Sequence, residues 1–297
     1  MKHQSALKWL IPPIFILALF AVSMGMFYET PGEPYPLTSF RGEEVIINGH
    51  GLNYYDTVSS AAQMQGNDII TLIVGLPLLV ISTWLAFKGS LRGRLLLTGT
   101  LGFFLYTYMS MSMLTAYNAL FLVYVALFTM SLYAFILSML SFDLADLPRH
   151  FSEKLQRGWI AAVLFAVGGF LSLAWVGRVI PELMNPQTPA ALENTTTRVI
   201  QAMDLALIAP LAILSGVLLL RSSAWGFLLA SVAVLKGLTM ALAVSAMAIN
   251  MAVQGVPDSL GIMIPFLILT VLNLITAFLL IRNISEASTP LKMNLST

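Results

Sequence analysis

One carboxylate and one lysine, Asp204 and Lys236, stand where a charge is expensive, and a second carboxylate, Asp68, stands at the boundary of an apolar run. Gln201-Ala202-Met203-Asp204 opens one apolar run, and Gln65-Gly66-Asn67-Asp68 opens an earlier one. Both read Q-x-x-D, a spacing that puts Gln and Asp on one helical face. Lys236 lies in the middle of a third apolar run, with Asn273 and Tyr106 at a similar depth in two others. A charge at a bilayer centre costs about 2.5–3.5 kcal/mol on insertion scales, so such side chains turn into a bundle and find partners. The chemistry these types allow is binding of a small solute or ion in a polar cavity. Asp204, Lys236, Gln201, Asp68, Gln65, Asn273 and Tyr106 would line it. The alternative is a hydrogen-bonded cluster that only fixes helix packing. In either case Lys236 is expected to point towards Asp204, directly or through one water, with Asn273 or Tyr106 completing its hydrogen bonds.

Other chemistries find no support in the residues. There is no Ser-His-Asp set, catalytic carboxylate pair, phosphate loop or HExxH, so no catalytic residue is assigned and enzymatic activity is not expected. The chain has no cysteine, which removes thiol, disulfide and iron–sulfur chemistry. His3, His50 and His150 fall on opposite flanks of the apolar runs, so neither a metal nor another cofactor is expected. A lysine in a seventh helix could carry a retinal Schiff base, but the preceding Ala233-Val234-Leu235 carries no rhodopsin-like pattern and an eighth helix follows. Met109, Met111 and Met113 offer thioethers that suit Cu(I). At alternate positions on a helix they diverge, and they read as core filler. A net charge of +1 argues against nucleic acid.

The elements that must position these residues are membrane helices. The chain is 58% hydrophobic and 10% charged, against about 25% charged in a soluble domain. Runs long enough to span recur along the whole length. They predict an all-α, polytopic integral membrane protein with eight transmembrane helices: Trp9–Tyr28, then 57–88, 93–114, 117–141, 158–180, 196–221, 224–251 and 260–282. The first run could be a cleaved signal peptide, but its length favours a retained helix whose first turn takes Pro12-Pro13. Residues 29–56 form a polar loop rich in Pro, Gly and acids, with a short hairpin expected around Arg41–His50 and Val45–Ile47 as one strand. Asp56 or Ser59 is expected to cap the second helix, and Asn194 or Thr195 the sixth. The loop Pro181–Glu193 and the tail 283–297 read as polar, the tail as frayed.

Eight spans put both termini on one side. That side carries eleven of the fifteen basic residues, Lys88, Arg92, Arg94, Arg149, Lys154 and Lys292 among them; the other carries Arg41, Arg178 and Arg198. The positive-inside rule therefore puts both termini in the cytoplasm and both Q-x-x-D motifs towards the outside.

The halves echo each other. Pro77, Lys88 and Gly93 follow Asp68, and Pro210, Arg221 and Gly226 follow Asp204, with five residues from the basic residue to the glycine in both. Residues 1–150 and 151–297 are read as two four-helix halves. An even number of helices per half makes the repeat parallel. Asp68 and Asp204 should then occupy equivalent places, and Phe103 should match Lys236.

The chain also resembles an uncharacterised bacterial family of multi-pass membrane proteins. Tyr55-Asp56, Ala61-Ala62-Gln63, Gly66, Asp68, Thr71-Leu72, Leu105-Tyr106-Thr107-Tyr108 and Asn118–Tyr124 carry the resemblance in the first half. Asp204-Leu205, Pro210 and the Arg221…Trp225-Gly226 turn carry it in the second. What it implies is a bacterial inner-membrane location. The expectation is a transporter-like protein of the lipid bilayer that moves a small solute or ion through an outward vestibule lined by Asp68 and Asp204. The alternative is a non-transporting scaffold or partner subunit.

Overall fold

A computed structural model describes residues 2–185, 192–257 and 259–287. Lys292, the middle of the loop Pro181–Glu193 and the tail beyond 287 lie outside the described residues. Among the described residues the fold is all-helical save one hairpin. Its eight long helices are α1 (Gln4–Phe27), α2 (Val58–Phe87), α3 (Leu91–Leu114), α4 (Phe121–Met139), α5 (Arg157–Met184), α6 (Val199–Leu220), α7 (Ala224–Val253) and α8 (Ser259–Arg282). All except α3 are long and apolar enough to cross a membrane. The exception, α3, has the length, but Arg92, Arg94, Thr98, Thr100, Thr107 and two tyrosines interrupt it.

Packing explains why α3 tolerates polar residues. It touches α2, α4 and α7 along its length and α6 near its end, so little of it faces outward. Centrally placed too, α7 touches α2, α3, α6 and α8. In α7, 56% of the most apolar window is buried, against 22% in α8. The outer helices α1, α4, α5 and α8 present large apolar side chains to the surroundings, among them Trp9, Leu122, Leu173, Val271 and Phe278. A surface of this kind, spread over so many helices, suits hydrocarbon and not water.

The three-residue turns α2–α3 and α6–α7 are the same structure twice. The amides of Lys88, Gly89 and Ser90 bond the carbonyls of Trp84, Ala86 and Leu85; those of Arg221, Ser222 and Ser223 bond Val217, Leu219 and Leu218. Each pair is separated by 133 positions, as from 88 to 221. Gly89 and Ser222 both take the left-handed conformation, at φ 93° and 55°. Glycine one turn into the next helix lets the two helices close. A Cβ on Gly93 would lie 2.4 Å from that of Leu85, and one on Gly226 would lie 2.2 Å from the Leu218 carbonyl carbon. We call the end of the bundle carrying these turns the basic end, and the opposite one the hairpin end.

Both second helices of the halves also widen into one π turn, Thr71–Gly75 in α2 and Asp204–Ile208 in α6, each followed by proline at the same place, Pro77 and Pro210. The 133-residue offset holds here and pairs Phe103 with Lys236. It corrects one expectation: the counterpart of Asp204 is Thr71, not Asp68. Asp68 corresponds to Gln201, about one turn nearer the hairpin end.

Smaller corrections follow from local geometry. With α1 starting at Gln4, Pro12 and Pro13 sit inside the helix and not in its first turn. Thr57 caps α2, its hydroxyl accepting from Ser60 N at 3.1 Å, while α6 has no side-chain cap and Asn194 instead donates to the Tyr55 carbonyl at 2.8 Å. In the hairpin β2 (Glu44–Ile47) pairs antiparallel with β1 (Tyr35–Thr38), so the partner strand comes earlier than Arg41. Up to 287 the tail is docked, not frayed. Ile284 pairs with Phe151, and the Glu286 carboxylate accepts from the Ser90 hydroxyl at 2.8 Å and the Leu91 amide at 2.7 Å. It thereby satisfies amides at the start of α3 that have no partner within the helix.

Candidate functional site

Asp204 begins the π turn of α6 and is 7% exposed. Its Oδ1 accepts from the Tyr106 hydroxyl at 2.7 Å, and its Oδ2 accepts from Trp175 Nε1 at 2.9 Å. One carboxylate thus ties α6 to α3 and α5. Lys236 projects from α7 with its Nζ 4.1 Å from the centroid of the Tyr106 ring. No direct ion pair with Asp204 forms within 4.0 Å among the described residues. The expected Lys–Asp contact is therefore replaced by a relay, cation over ring and ring hydroxyl to carboxylate. The ring holds the lysine by cation–π attraction. Glycines in α3 bring the chains this close: a Cβ on Gly99 would be 2.6 Å from that of Leu235, and one on Gly102 would be 3.5 Å from Lys236 Cγ. Asn273 is not part of the relay. Its Nδ2 donates to the Leu269 carbonyl at 2.8 Å, and its Oδ1 lies 3.0 Å from where a Gly237 Cβ would be, so it serves α7–α8 packing.

Asp68 lives in a different setting. It is 6% exposed, and its side chain makes no hydrogen bond or ion pair among the described residues. Its carboxylate rests on Gly25 of α1, where a Cβ would lie 2.0 Å from Oδ2. Tyr108 and Tyr124 lie within its electrostatic reach. Tyr106 and Tyr108 are two positions apart, about 200° around α3. Asp204 and Asp68 therefore stand on opposite sides of that helix and do not line one vestibule, contrary to expectation. Gln201 is half-buried, and its side chain makes no hydrogen bond among the described residues. Gln65 lies 3.4 Å from Asn250 Nδ2, which also donates to the Ala62 carbonyl at 2.8 Å.

Two cavities open at the hairpin end, one above each carboxylate. The larger, about 310 Å³, is bounded by the loop 28–34, Asn48–Asn53, Gly25 and Gln65. It ends one helical turn from Asp68, which stands directly behind Gly25. The smaller, about 170 Å³, lies between Met113 and Leu114 of α3 and Val199 of α6, under Asn194–Thr197. Asp204 sits five residues deeper on α6, about 7 Å at 1.5 Å per residue. At the position in the other half that corresponds to Val199, Gly66 meets the Met247 backbone, 2.6 Å from a Cβ position, and closes the α2–α7 crevice. Glycine on one side and valine on the other make one crevice shut and the other hollow.

Asp56 borders the smaller cavity. Its Oδ1 accepts from the Ala116 amide at 3.0 Å, and Thr57 beside it donates to Glu193. Burial pushes the Asp56 carboxyl up to about 6; the Ala116 amide opposes this, the Glu193 charge adds to it, and the Ser60 hydroxyl opposes it. A raised carboxyl means that folding favours the protonated form. Its contribution to stability is complete below the ordinary value of 3.8 and is lost as pH rises through about 6. The unfolding temperature of the wild type should therefore rise as pH falls from 7 to 5. Asp56→Asn should flatten that segment of the profile.

Sequence reasoning named Asp204, Tyr106, Lys236, Asp68 and Gln65 but missed Trp175, Gly25 and Tyr108, which stand against the two carboxylates. Trp175 and Gly25 carry no local signal; only the neighbouring helix gives them a role. The chain matches no family model, no curated protein and no solved structure.

Proposed function

We propose that the chain is a transporter-like, multi-pass protein of the bacterial cytoplasmic membrane, with the basic end and both termini in the cytoplasm. It moves a small solute or ion through the hairpin-end cavity that ends above Asp68. One observation carries the reading. A cavity of about 310 Å³ has Gly25 and Gln65 in its wall, and a buried carboxylate with no partner among the described residues stands immediately behind them. Such a group stays charged only at a cost of several kcal/mol unless something pairs with it, and the cavity beside it favours a ligand over a proton alone. Halves 1–150 and 151–297 act in this reading as parallel repeats packed through α2, α3, α6 and α7.

A scaffold without transport is the second reading, and Asp204 favours it, because both oxygens are already satisfied within the bundle. The two readings differ in a vesicle experiment. Protein reconstituted into liposomes should admit at least one of a panel of Na+, K+, amino acids and sugars at a saturable rate. Asp68→Asn should abolish that rate while its unfolding temperature stays near that of the wild type. Entry no faster than into protein-free vesicles for the whole panel would establish the scaffold.

A further inference from the structure

Asp68 is not the one unpartnered polar group in its layer. Among the described residues, Asn67 Nδ2, Thr71 Oγ1, Thr107 Oγ1 and Tyr108 OH are sealed from solvent and lack a hydrogen-bond partner. Their residues are 3%, 0%, 3% and 1% exposed. Backbone geometry brings them to one level. Gly75 of α2 packs on the rings of Phe103 and Phe104 in the antiparallel α3. Four residues towards the hairpin end, Thr71 stands level with Thr107 and Tyr108. Asn67, Asp68 and Thr71 share about 100° of the α2 surface. Native interiors leave few buried polar atoms unpaired, and four beside one carboxylate call for an occupant.

The occupant's charge follows from what the layer lacks. Among the described residues no lysine, arginine or histidine is paired with Asp68, and Lys236 is committed to Tyr106 on the other side of α3. The partner of Asp68 is therefore a cation. A single carboxylate balances one positive charge, and a divalent ion would need more acidic oxygens. Hydroxyls of Thr71, Thr107 and Tyr108 supply neutral oxygens, and the Asn67 amide, turned over, supplies another. With the carboxylate packed on Gly25 and its polar neighbours sealed from solvent, a small, dehydrated ion suits the layer. The π turn begins at Thr71, so a backbone carbonyl can also be released there.

We infer that Asp68, Thr71, Thr107 and Tyr108 form a site for a monovalent cation of Na+ size, entered past Gly25 from the hairpin-end cavity. This rests on the transport reading above, but it is tested by binding and not by flux. Purified protein in detergent is titrated with NaCl against choline chloride at constant ionic strength and pH. Unfolding temperature is expected to rise by several degrees with Na+, to saturate, and to stay flat with choline. Thr71→Val should raise the half-saturating Na+ concentration about tenfold, and Asp68→Asn should abolish the response. Equal curves in Na+ and choline, or a Na+ response that survives in Asp68→Asn, would overturn the site. A stabilisation that follows pH alone, identical in both salts and lost in Asp68→Asn, would assign the place to a proton and overturn the Na+ site. Loss of the Na+ response with saturable, Asp68-dependent uptake intact would leave the transport reading standing without this ion. A Na+ response without any flux would do the reverse.

Discussion

Asp204→Ala should cost far more stability than Lys236→Met. Removing the carboxylate strands the Tyr106 hydroxyl and the Trp175 indole N–H in the bundle, and each stranded buried donor costs about 1–3 kcal/mol. Lys236 then also loses the nearby negative charge. A loss of about 3 kcal/mol or more is expected in SDS unfolding of the purified protein. Lys236→Met leaves both hydrogen bonds to Asp204 in place and removes one cation–π contact, worth about 0.5–2 kcal/mol. Tyr106→Phe and Trp175→Phe should each fall near 1 kcal/mol, because each leaves the other donor on the carboxylate. A direct buried ion pair would behave differently: either single replacement would cost about 3–5 kcal/mol and the double replacement much less. Equal losses for Asp204→Ala and Lys236→Met would refute the relay.

Gly66→Val should separate the two halves. A Cβ at Gly66 would lie 2.6 Å from Met247 Cα and 2.8 Å from the Ala246 carbonyl carbon, and backbone cannot swing aside as a side chain does. Overpacking a tight interior costs about 1–3 kcal/mol, and contact with main-chain atoms puts this case at the upper end or above. The Asn250 bond to the Ala62 carbonyl spans the same contact and should break with it. Gly169→Ala and Gly177→Ala are the matched controls: both glycines face open space, and both changes should leave the unfolding temperature unaltered or slightly higher. If Gly66→Val unfolds at the wild-type temperature, α2 and α7 do not approach as described.

These two results bear on how the molecule divides its polar residues. Asp204 binds helices to each other and has its partners within the chain. Asp68 packs inside the first half, where α1, α2, α3 and α4 meet, and its side chain has no hydrogen-bond or ion-pair partner among the described residues. Two positions that look alike along the chain therefore have different surroundings.

Sequence by itself determined the number, order and near boundaries of the eight helices, because apolar run length and turn residues act locally. It also determined the twin basic turns, since a short loop followed by glycine leaves helices α2–α3 and α6–α7 one way to close. The hairpin was half legible: the alternation of Val45–Ile47 marks one strand, but a partner strand is fixed by pairing across the turn. Tertiary structure alone decided the rest. The three-residue slip between the two Q-x-x-D motifs is countable against the twin turns, but the matched π turns show that it moves Asp68 nearly one turn along α2 from the place Asp204 holds in α6. Spacing put Lys236 within reach of Asp204, yet the Tyr106 ring comes between them, because α3 approaches α7 through Gly99 and Gly102. Which carboxylate is satisfied depends on angles around α3 and on Trp175 and Gly25 from other helices. Helical periodicity tells which residues share a face; it does not tell what the facing helix puts there.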